Sequence, residues 1–198
     1  SKGFSDMRIG AGYWLLSGEK AKKGNTAVGF GIKFPTGDYA ATSTFYKGEN
    51  ETPTELTVDQ SIQLGDGGTG LIVDFQGLWN IKGTLFWYYD GFYMFNPMNT
   101  NGTLTNRSRP NESIMSVPDQ FAARTGVFKA FEKVHGLGLS LGGRVEGIPV
   151  RDAFGGSDGF RRPGYIISVE PGVSYMFGNL SASLYVTISL YRNRTLSV

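Results

Sequence analysis

The chain has 198 residues, and 19 lysines and arginines against 17 aspartates and glutamates leave a net charge of +2. This near balance argues against a nucleic-acid binder, which is usually strongly basic. The absence of cysteine excludes disulfides, a thiol nucleophile and a cysteine-ligated metal. The composition, with 29 glycines, 14% aromatic and only 18% charged residues, favours an all-β fold.

Apolar and polar residues alternate along eight segments, and a period of two predicts strands with two different faces. Most segments are near the ~9–11 residues that a tilted strand needs to cross a bilayer, whereas soluble strands average about 5–6. The predicted strands, in chain order, are Met7–Leu16, Thr26–Phe34, Thr69–Asn80, Thr84–Asn96, Gln120–Lys129, Leu137–Val150, Tyr165–Phe177 and Leu180–Tyr191.

The links between these strands alternate between short and long. The long links follow the second, fourth and sixth strands, are rich in small polar residues and glycine, and comprise residues 36–68, 97–118 and 151–164. Short and long links in alternation predict an antiparallel up-and-down sheet that uses residues 1–198 as a single domain. In outer-membrane barrels the short turns face the periplasm and the long loops face outside.

The placement of the apolar face separates two kinds of barrel. A soluble, lipocalin-like barrel points this face inward around a ligand, whereas a membrane barrel points it toward lipid. Eight strands enclose only enough space for side chains or one small ligand, and this apolar face carries too many large residues to fit there. The opposite face, mostly Gly, Ser and Thr, is poorer in charge than a soluble surface. We therefore predict a transmembrane β-barrel in contact with outer-membrane lipid.

The polar face of that barrel is the candidate functional site, because it lines the lumen. Its side chains carry both signs of charge, which leaves open a constriction that selects solutes or a salt-bridged lumen that only satisfies its own charges. The predicted lumen residues are Arg8, Lys33, Asp74, Gln76, Asp90, Arg124, Arg144, Glu146, Glu170, Tyr185 and Tyr191.

Counting residues across the hairpins predicts which of these charges are neighbours. Asp74 is expected near Asp90, and Arg124 near Arg144. Neighbouring like charges are unfavourable unless opposite charges bridge them. We therefore expect Glu170, or Glu146 on the strand of Arg144, to pair with these arginines.

Other chemistries find little support in the sequence. His135 is the only histidine, which leaves no histidine-based triad and no multi-histidine metal site. Asp66, Asp152 and Asp158 lie in glycine-rich loops without the spacing of a calcium-binding loop, so they are interpreted as solvated turn residues. No enzymatic activity, metal or cofactor is expected.

The segment KFPTGDY at residues 33–39 resembles the KxPTGDY segment of Gram-negative outer-membrane barrels. These include the family labelled for the meta-pathway of phenol degradation and related transporters. The segments GDGG at 65–68 and GGSDGFRRPG at 155–164 are also similar to them. The resemblance implies an outer-membrane location and a channel for small molecules, apolar ones among them, and it brings no catalytic residues. From the residues alone, the Pro, Gly and Asp of KFPTGDY fit a turn.

Three functions are left open by the sequence. The first is passage of small solutes, the second is a closed barrel whose long loops bind a protein partner, and the third is an outer-membrane enzyme. With the short turns in the periplasm, both ends of the chain emerge outside, although barrel termini normally lie in the periplasm. We therefore expect these residues to belong to a barrel of about ten to fourteen strands, the alternative being an intact eight-stranded barrel with inverted loop lengths.

Overall fold

A computed structural model of the protein describes residues 2–46, 48, 52–105, 107, 109–131, 134 and 136–195. Strands make up 60% of the structure and helices 5%, which confirms the all-β prediction. Within the described residues, no helix is long and apolar enough to span a membrane. The strands are β1 (Met7–Trp14), β2 (Gly24–Phe34), β3 (Thr42–Phe45), β4 (Thr54–Thr57), β5 (Gly70–Lys82), β6 (Leu85–Phe95), β7 (Thr100–Leu104), β8 (Ile114–Ser116), β9 (Gln120–Ala130), β10 (Leu137–Ile148), β11 (Gly164–Phe177), β12 (Leu180–Tyr185) and β13 (Ile188–Arg194), and the short 3-10 helices are Gly18–Ala21, Gln60–Ile62 and Pro110–Glu112.

The main sheet is an antiparallel meander in the order β1-β2-β5-β6-β9-β10-β11, and β11 pairs on its other side with both β12 and β13. All eight predicted strands are present in it, the last one divided into β12 and β13. The division lies opposite Pro171 of β11. Val186 N–H donates to the Pro171 carbonyl at 3.0 Å, but proline has no N–H with which to return the bond.

The two ends of the sheet differ, because short turns lie at one end and long loops at the other. At the turn end, Gly83 and Gly178 have φ of 56° and 57°, a region that favours glycine. They lie in the tight turns after β5 and after β11. This alternation confirms the predicted order of short and long links.

The pairing of β5 with β6 differs from the sequence prediction. A β-bulge at the turn end of β5 shifts the register of the hairpin. Asp90 lies opposite Gln76, and Asp74 lies opposite Phe92. The predicted neighbours Asp74 and Asp90 are therefore diagonal rather than directly opposite, because the hairpin is centred about one residue later in the chain than the residue count assumed.

The long loops contain more regular structure than the sequence indicated. The first loop includes the β3–β4 hairpin and the second includes the β7–β8 hairpin. Residues 151–163 of the third loop contain no strand, but Phe160 forms a bridge with Met115 of β8. The second and third loops are therefore joined by backbone hydrogen bonds as well as by side chains.

The apolar side chains of the sheet are on its outer surface. Ile9, Phe30, Leu141 and Leu184, from four different strands, are 62%, 66%, 55% and 63% exposed. A soluble β-protein would bury such a continuous face, since monomeric proteins rarely expose large apolar patches. The alternation of the strands therefore points the polar side chains to the concave side.

The sheet curves strongly but does not close. Trp14 of β1 and Tyr185 of β12 line the same cavity, so the first and last strands face each other across the concave side. In the part of the chain that the structure describes, β1 pairs only with β2, and β12 and β13 pair only with β11. The closed barrel is therefore not present in this structure, and the larger number of strands stays a prediction.

The buried apolar core lies at the loop end. Val58, Met94, Met115, Val117 and Phe160 are 7% exposed or less, and all but Met94 belong to the long loops. We call residues 58–68, 109–119 and 151–163 the cap. It packs against the loop ends of the strands and covers that end of the concave face.

Candidate functional site

A row of polar side chains crosses the concave face at mid-height. Asp90 of β6 lies opposite Arg124 of β9, and Arg124 lies opposite Arg144 of β10. The row continues to Gln76 on one side and Ser168 on the other. The sequence prediction that Arg124 and Arg144 are neighbours on adjacent strands is confirmed.

Carboxylates separate the two arginines, as like charges at this spacing require. Asp90 forms an ion pair with Arg124, and Glu146 forms one with Arg144. Glu170 of β11 lies between them, with one carboxylate oxygen 3.5 Å from Arg144 Nη1 and the other 3.9 Å from Arg124 Nη1. The predicted pairing with Glu146 and Glu170 is confirmed. We call the five residues Asp90, Arg124, Arg144, Glu146 and Glu170 the charged wall.

Glu170 is the most buried member of the charged wall. Its side chain is 4% exposed, and it also accepts a hydrogen bond of 2.9 Å from the hydroxyl of Thr187. Thr187 lies in the break between β12 and β13, so this segment also contacts the wall. The sequence analysis did not single out Thr187, because a threonine on an alternating strand carries no distinctive signal.

The charged wall retains groups that are able to meet a solute. The other four side chains are between 33% and 39% exposed, in contrast with Glu170. Three carboxylates face two guanidinium groups, which leaves one excess negative charge. Arg144 Nε is buried without a hydrogen-bond partner among the described residues, so a solute does not reach it. The wall therefore meets a solute through its partly exposed charged side chains and their net charge.

The opposite wall of the concave face is almost free of charge. Gly10 and Gly12 of β1 lie opposite Gly31 and Gly29 of β2. Asp74 of β5 lies against Gly29, where a Cβ atom would collide with the carboxylate. Among the described residues Asp74 forms no salt bridge. The predicted lumen residues Asp74 and Gln76 thus belong to this side, which we call the glycine wall.

Arg8 and Lys33, also predicted to line the lumen, lie opposite each other near the cap. Lys33 is 1% exposed, forms an ion pair with Asp66 and lies 3.8 Å from Asp6. The ion pair between Lys33 and Asp66 therefore links β2 to the cap. Arg8 is exposed and lines a cavity of about 320 Å³ beneath the cap, together with Gln120 of β9.

Tyr185 belongs to a second cavity, of about 450 Å³, in the turn half of the concave face. Trp14, Tyr88 and Phe128 contribute aromatic rings to it, and the charged wall borders it through Arg124. Tyr88 extends over Gly126 and Gly142, where any Cβ atom would collide with its hydroxyl. The alternation placed these aromatic residues on the polar face, but nothing in the sequence showed that they meet.

Tyr191 was predicted to point into the lumen, and this is wrong. The register between β11 and β13 shifts between Ile167 and Ser168, so Tyr191 lies opposite Ile167 on the apolar face. Its ring is 6.0 Å from that of Tyr165. One bulged residue moves every later side chain of a strand to the other face, and Arg192 and Arg194 therefore lie on the polar side.

Buried polar groups hold the second and third loops of the cap together. Arg161 forms a 2.7 Å ion pair with Asp152, and both side chains are fully buried. Arg161 also donates to Ser116 Oγ at 2.7 Å. Asp119 accepts from Tyr93 Oη at 2.9 Å and from the backbone N–H of Asn96 at 2.7 Å. These bonds connect the second and third loops with β6.

The interpretation of the loop aspartates as solvated turn residues is wrong for two of them. Asp152 pairs with Arg161, and Asp66 pairs with Lys33. Asp158 is exposed and accepts a 2.8 Å bond from Asn99. Long-range pairing of this kind has no signal in a single sequence, because glycine-rich loops look alike whether they are solvated or packed.

An exposed contact joins the first loop to the third. Arg162 Nη2 lies 2.7 Å from Asp59 Oδ2. The pKa of Asp59 lies below its ordinary value, first because the backbone N–H and the hydroxyl of Ser61 donate to it, and also because of Arg162. Gln60 adds a 2.8 Å bond to the carbonyl of Ser116. All three loops are thus linked.

The apolar face also contains a few polar atoms, and these bond with one another. The hydroxyls of Thr26 and Tyr89 share a hydrogen bond, and Trp79 Nε1 donates to both at 3.3 Å. Trp87 Nε1 donates to Thr125 Oγ1 at 2.8 Å. The indole groups of Trp79 and Trp87 and the phenol of Tyr89 therefore have protein partners on this face.

Comparison with known proteins gave no relative: no family model matches the chain, and no curated protein matches it. No cluster of three or more potential metal ligands occurs among the described residues. His135 lies outside them. The interpretation of the site thus depends on its own geometry.

Proposed function

We propose that this chain forms the wall of a transmembrane β-barrel in a bacterial outer membrane and lets small solutes pass along its polar interior. The observation that carries the proposal is the orientation of the two faces. Large aliphatic and aromatic side chains point outward, and Asp90, Arg124, Arg144 and Glu170 point to the concave side. Each of these charges would cost a few kcal/mol on a lipid-facing surface.

The distribution of aromatic residues on the outer face supports a membrane environment. One group lies toward the turn end and another toward the loop end, with mainly aliphatic residues between. On β6, Trp87 and Tyr93 belong to the two groups and are six residues apart, which is about 20 Å along a strand. An outer-membrane barrel has an apolar band about 25 Å tall between two aromatic girdles. The paired polar atoms of Trp79, Tyr89 and Trp87 fit the same environment.

The interior supports passage of solutes through its two cavities. One lies beneath the cap and one lies in the turn half, and the charged wall borders the latter. A solute that moves between them passes Arg124 and Arg144. The resemblance of the 33–39 segment to outer-membrane transport barrels agrees with this path.

Two measurements test the proposal. First, the full chain is expected in the outer-membrane fraction, with a gel mobility that changes on heating. Second, the purified protein should give discrete conductance steps in a planar bilayer. Recovery of a soluble protein with no heat-modifiable band would refute the membrane barrel.

A second candidate function is a closed barrel whose loops bind a protein partner. The cross-linked cap favours it, because Arg162–Asp59 and Gln60–Ser116 hold the loops across the end of the concave face. A closed lumen gives no conductance steps, although the protein still fractionates with the outer membrane. The bilayer measurement therefore separates the two candidates.

A further inference from the structure

A cavity of about 500 Å³ lies at the loop end, between the third loop and the last strand. It shares Glu146 with the charged wall but contains none of the other four members of the wall. Arginines outnumber acidic residues in its lining by three. The charged residues that line it are Arg107, Arg161, Arg162, Arg192, Arg194, Glu112 and Glu146.

Three of these arginines already have acidic partners. Arg161 and Arg162 are paired with aspartates, each at 2.7 Å, and Arg107 lies 3.0 Å from Glu112. Glu146 is engaged by Arg144 of the charged wall. The acids in the lining are therefore occupied.

Arg192 and Arg194 differ from the other three arginines of the lining because they lack an acidic partner among the described residues. Both are exposed, and neither forms an ion pair with any residue that the structure describes. They are two positions apart on β13, so they lie on one face about 7 Å apart. Two guanidinium groups at this spacing are able to hold one anion between them.

The cavity also has an apolar part, to which Ile148, Pro163 and Ile166 contribute. Phe160 lies in the lining too, but it is 5% exposed and its ring is covered by the guanidinium of Arg107 at 4.0 Å. An occupant therefore needs an anionic end for the arginines and an apolar part for this surface.

We propose that this cavity binds the phosphate group of an organic phosphate ester, with Arg192 and Arg194 as its ligands and the organic part against Ile148 and Ile166. A phosphate carries nearly two charges and several acceptor oxygens, which matches two free guanidinium groups better than a carboxylate does. The ester is either a small soluble molecule or a lipid headgroup. The binding does not depend on conduction or on membrane insertion.

Calorimetric titration of the full chain in neutral detergent with butyl phosphate tests the proposal. Saturable binding is expected, and 1-butanol should not bind. Arg192→Gln and Arg194→Gln should each weaken binding about tenfold, since each removes charge-assisted hydrogen bonds. The control Arg151→Gln removes an exposed arginine outside the cavity and should leave the affinity unchanged.

Mixed micelles distinguish the two sources. Competition by phosphatidic acid, but not by phosphatidylcholine, identifies a lipid headgroup, and no competition identifies a soluble ester. Failure of butyl phosphate to bind, or equal binding by the Arg192→Gln/Arg194→Gln double variant with an unchanged circular dichroism spectrum, overturns the proposal. Conductance is measured separately, so failure here leaves the proposed function untouched.

Discussion

The cap and the charged wall both contain arginine–carboxylate pairs, but they place them in opposite environments. In the cap, Arg161 and Asp152 are fully buried and have additional hydrogen bonds. In the wall, the side chains of Arg124 and Asp90 are 39% and 37% exposed, and the wall contains one carboxylate more than it contains guanidinium groups. A buried pair stabilises the structure around it, because removal of one partner leaves the other charge buried and unpaired. An exposed pair contributes little to stability and remains in contact with solvent. The difference indicates a structural role for the cap, and in the proposed channel it would give the wall a role in selectivity.

The largest expected effect comes from breaking the cap. Arg161→Leu leaves Asp152 buried without its partner, which should cost about 3–5 kcal/mol of stability. The midpoint of thermal unfolding, followed by gel mobility, measures the loss. Arg109→Leu, which removes an exposed arginine from the same cap, should change little. Equal losses in the two variants would contradict the structural role of the buried pair.

The next effect tests the two faces of the sheet. Leu184→Arg places a charge on the apolar face and should cost about 2–4 kcal/mol if that face meets lipid near the midplane. Ser183→Arg, one residue away on the concave side, should assemble normally. The yield of heat-modifiable protein in the outer-membrane fraction compares them. Equal damage would show that the assignment of inside and outside is wrong.

A smaller effect is expected when the charge of the wall is changed. Glu170→Gln removes the excess negative charge, so cation preference should fall, and Arg144→Gln should raise it. We expect a change of a few-fold in the cation-to-anion permeability ratio, read from the reversal potential in a salt gradient. Lys129→Gln, an exposed change at the turn end, is the control. An unchanged cation-to-anion permeability ratio in both wall variants would show that the charged wall does not lie on the conduction path.

The smallest effect concerns the exposed link between Asp59 and Arg162. The folded pKa of Asp59 lies below its ordinary 3.8, so its contribution is present above pH 3.8 and is lost as pH falls through the lowered pKa. Asp59→Asn should therefore destabilise the protein at pH 7 by less than about 1 kcal/mol, after solvent screening. Unfolding midpoints of the two proteins should converge in acid. If the two unfolding midpoints still differ at pH values below the lowered pKa, the charge of Asp59 is not the cause of the difference.

The sequence predicts the main sheet well because each strand carries its own signal. Alternation in Leu180–Tyr191 needs no other part of the chain to be recognised, and hairpin counting correctly places Arg124 beside Arg144. Prediction fails where a single residue changes the register. The bulge that turns Tyr191 outward has no signal in the period-two pattern. The pattern also does not fix the centre of the turn after β5, which makes Asp74 diagonal to Asp90.

The cap is not visible in the sequence for a different reason. Its bonds join residues far apart in the chain, such as Arg162 with Asp59 and Arg161 with Ser116. Gly- and Asp-rich loops satisfy turn preferences whether they are packed or solvated. Only the three-dimensional structure shows that these loops bond to one another.

The glycine wall gives the interior an electrical asymmetry. At the level of Gly10, Gly12, Gly29 and Gly31 the glycine wall presents the carboxylate of Asp74, whereas the opposite side presents five charged side chains. In the proposed barrel, the polar end of a solute would turn toward these five charged groups. Its apolar side would then lie along Gly10, Gly12 and Gly31, beside the Asp74 carboxylate that covers Gly29. In the proposed barrel, orientation of the solute would thus precede any selection by charge.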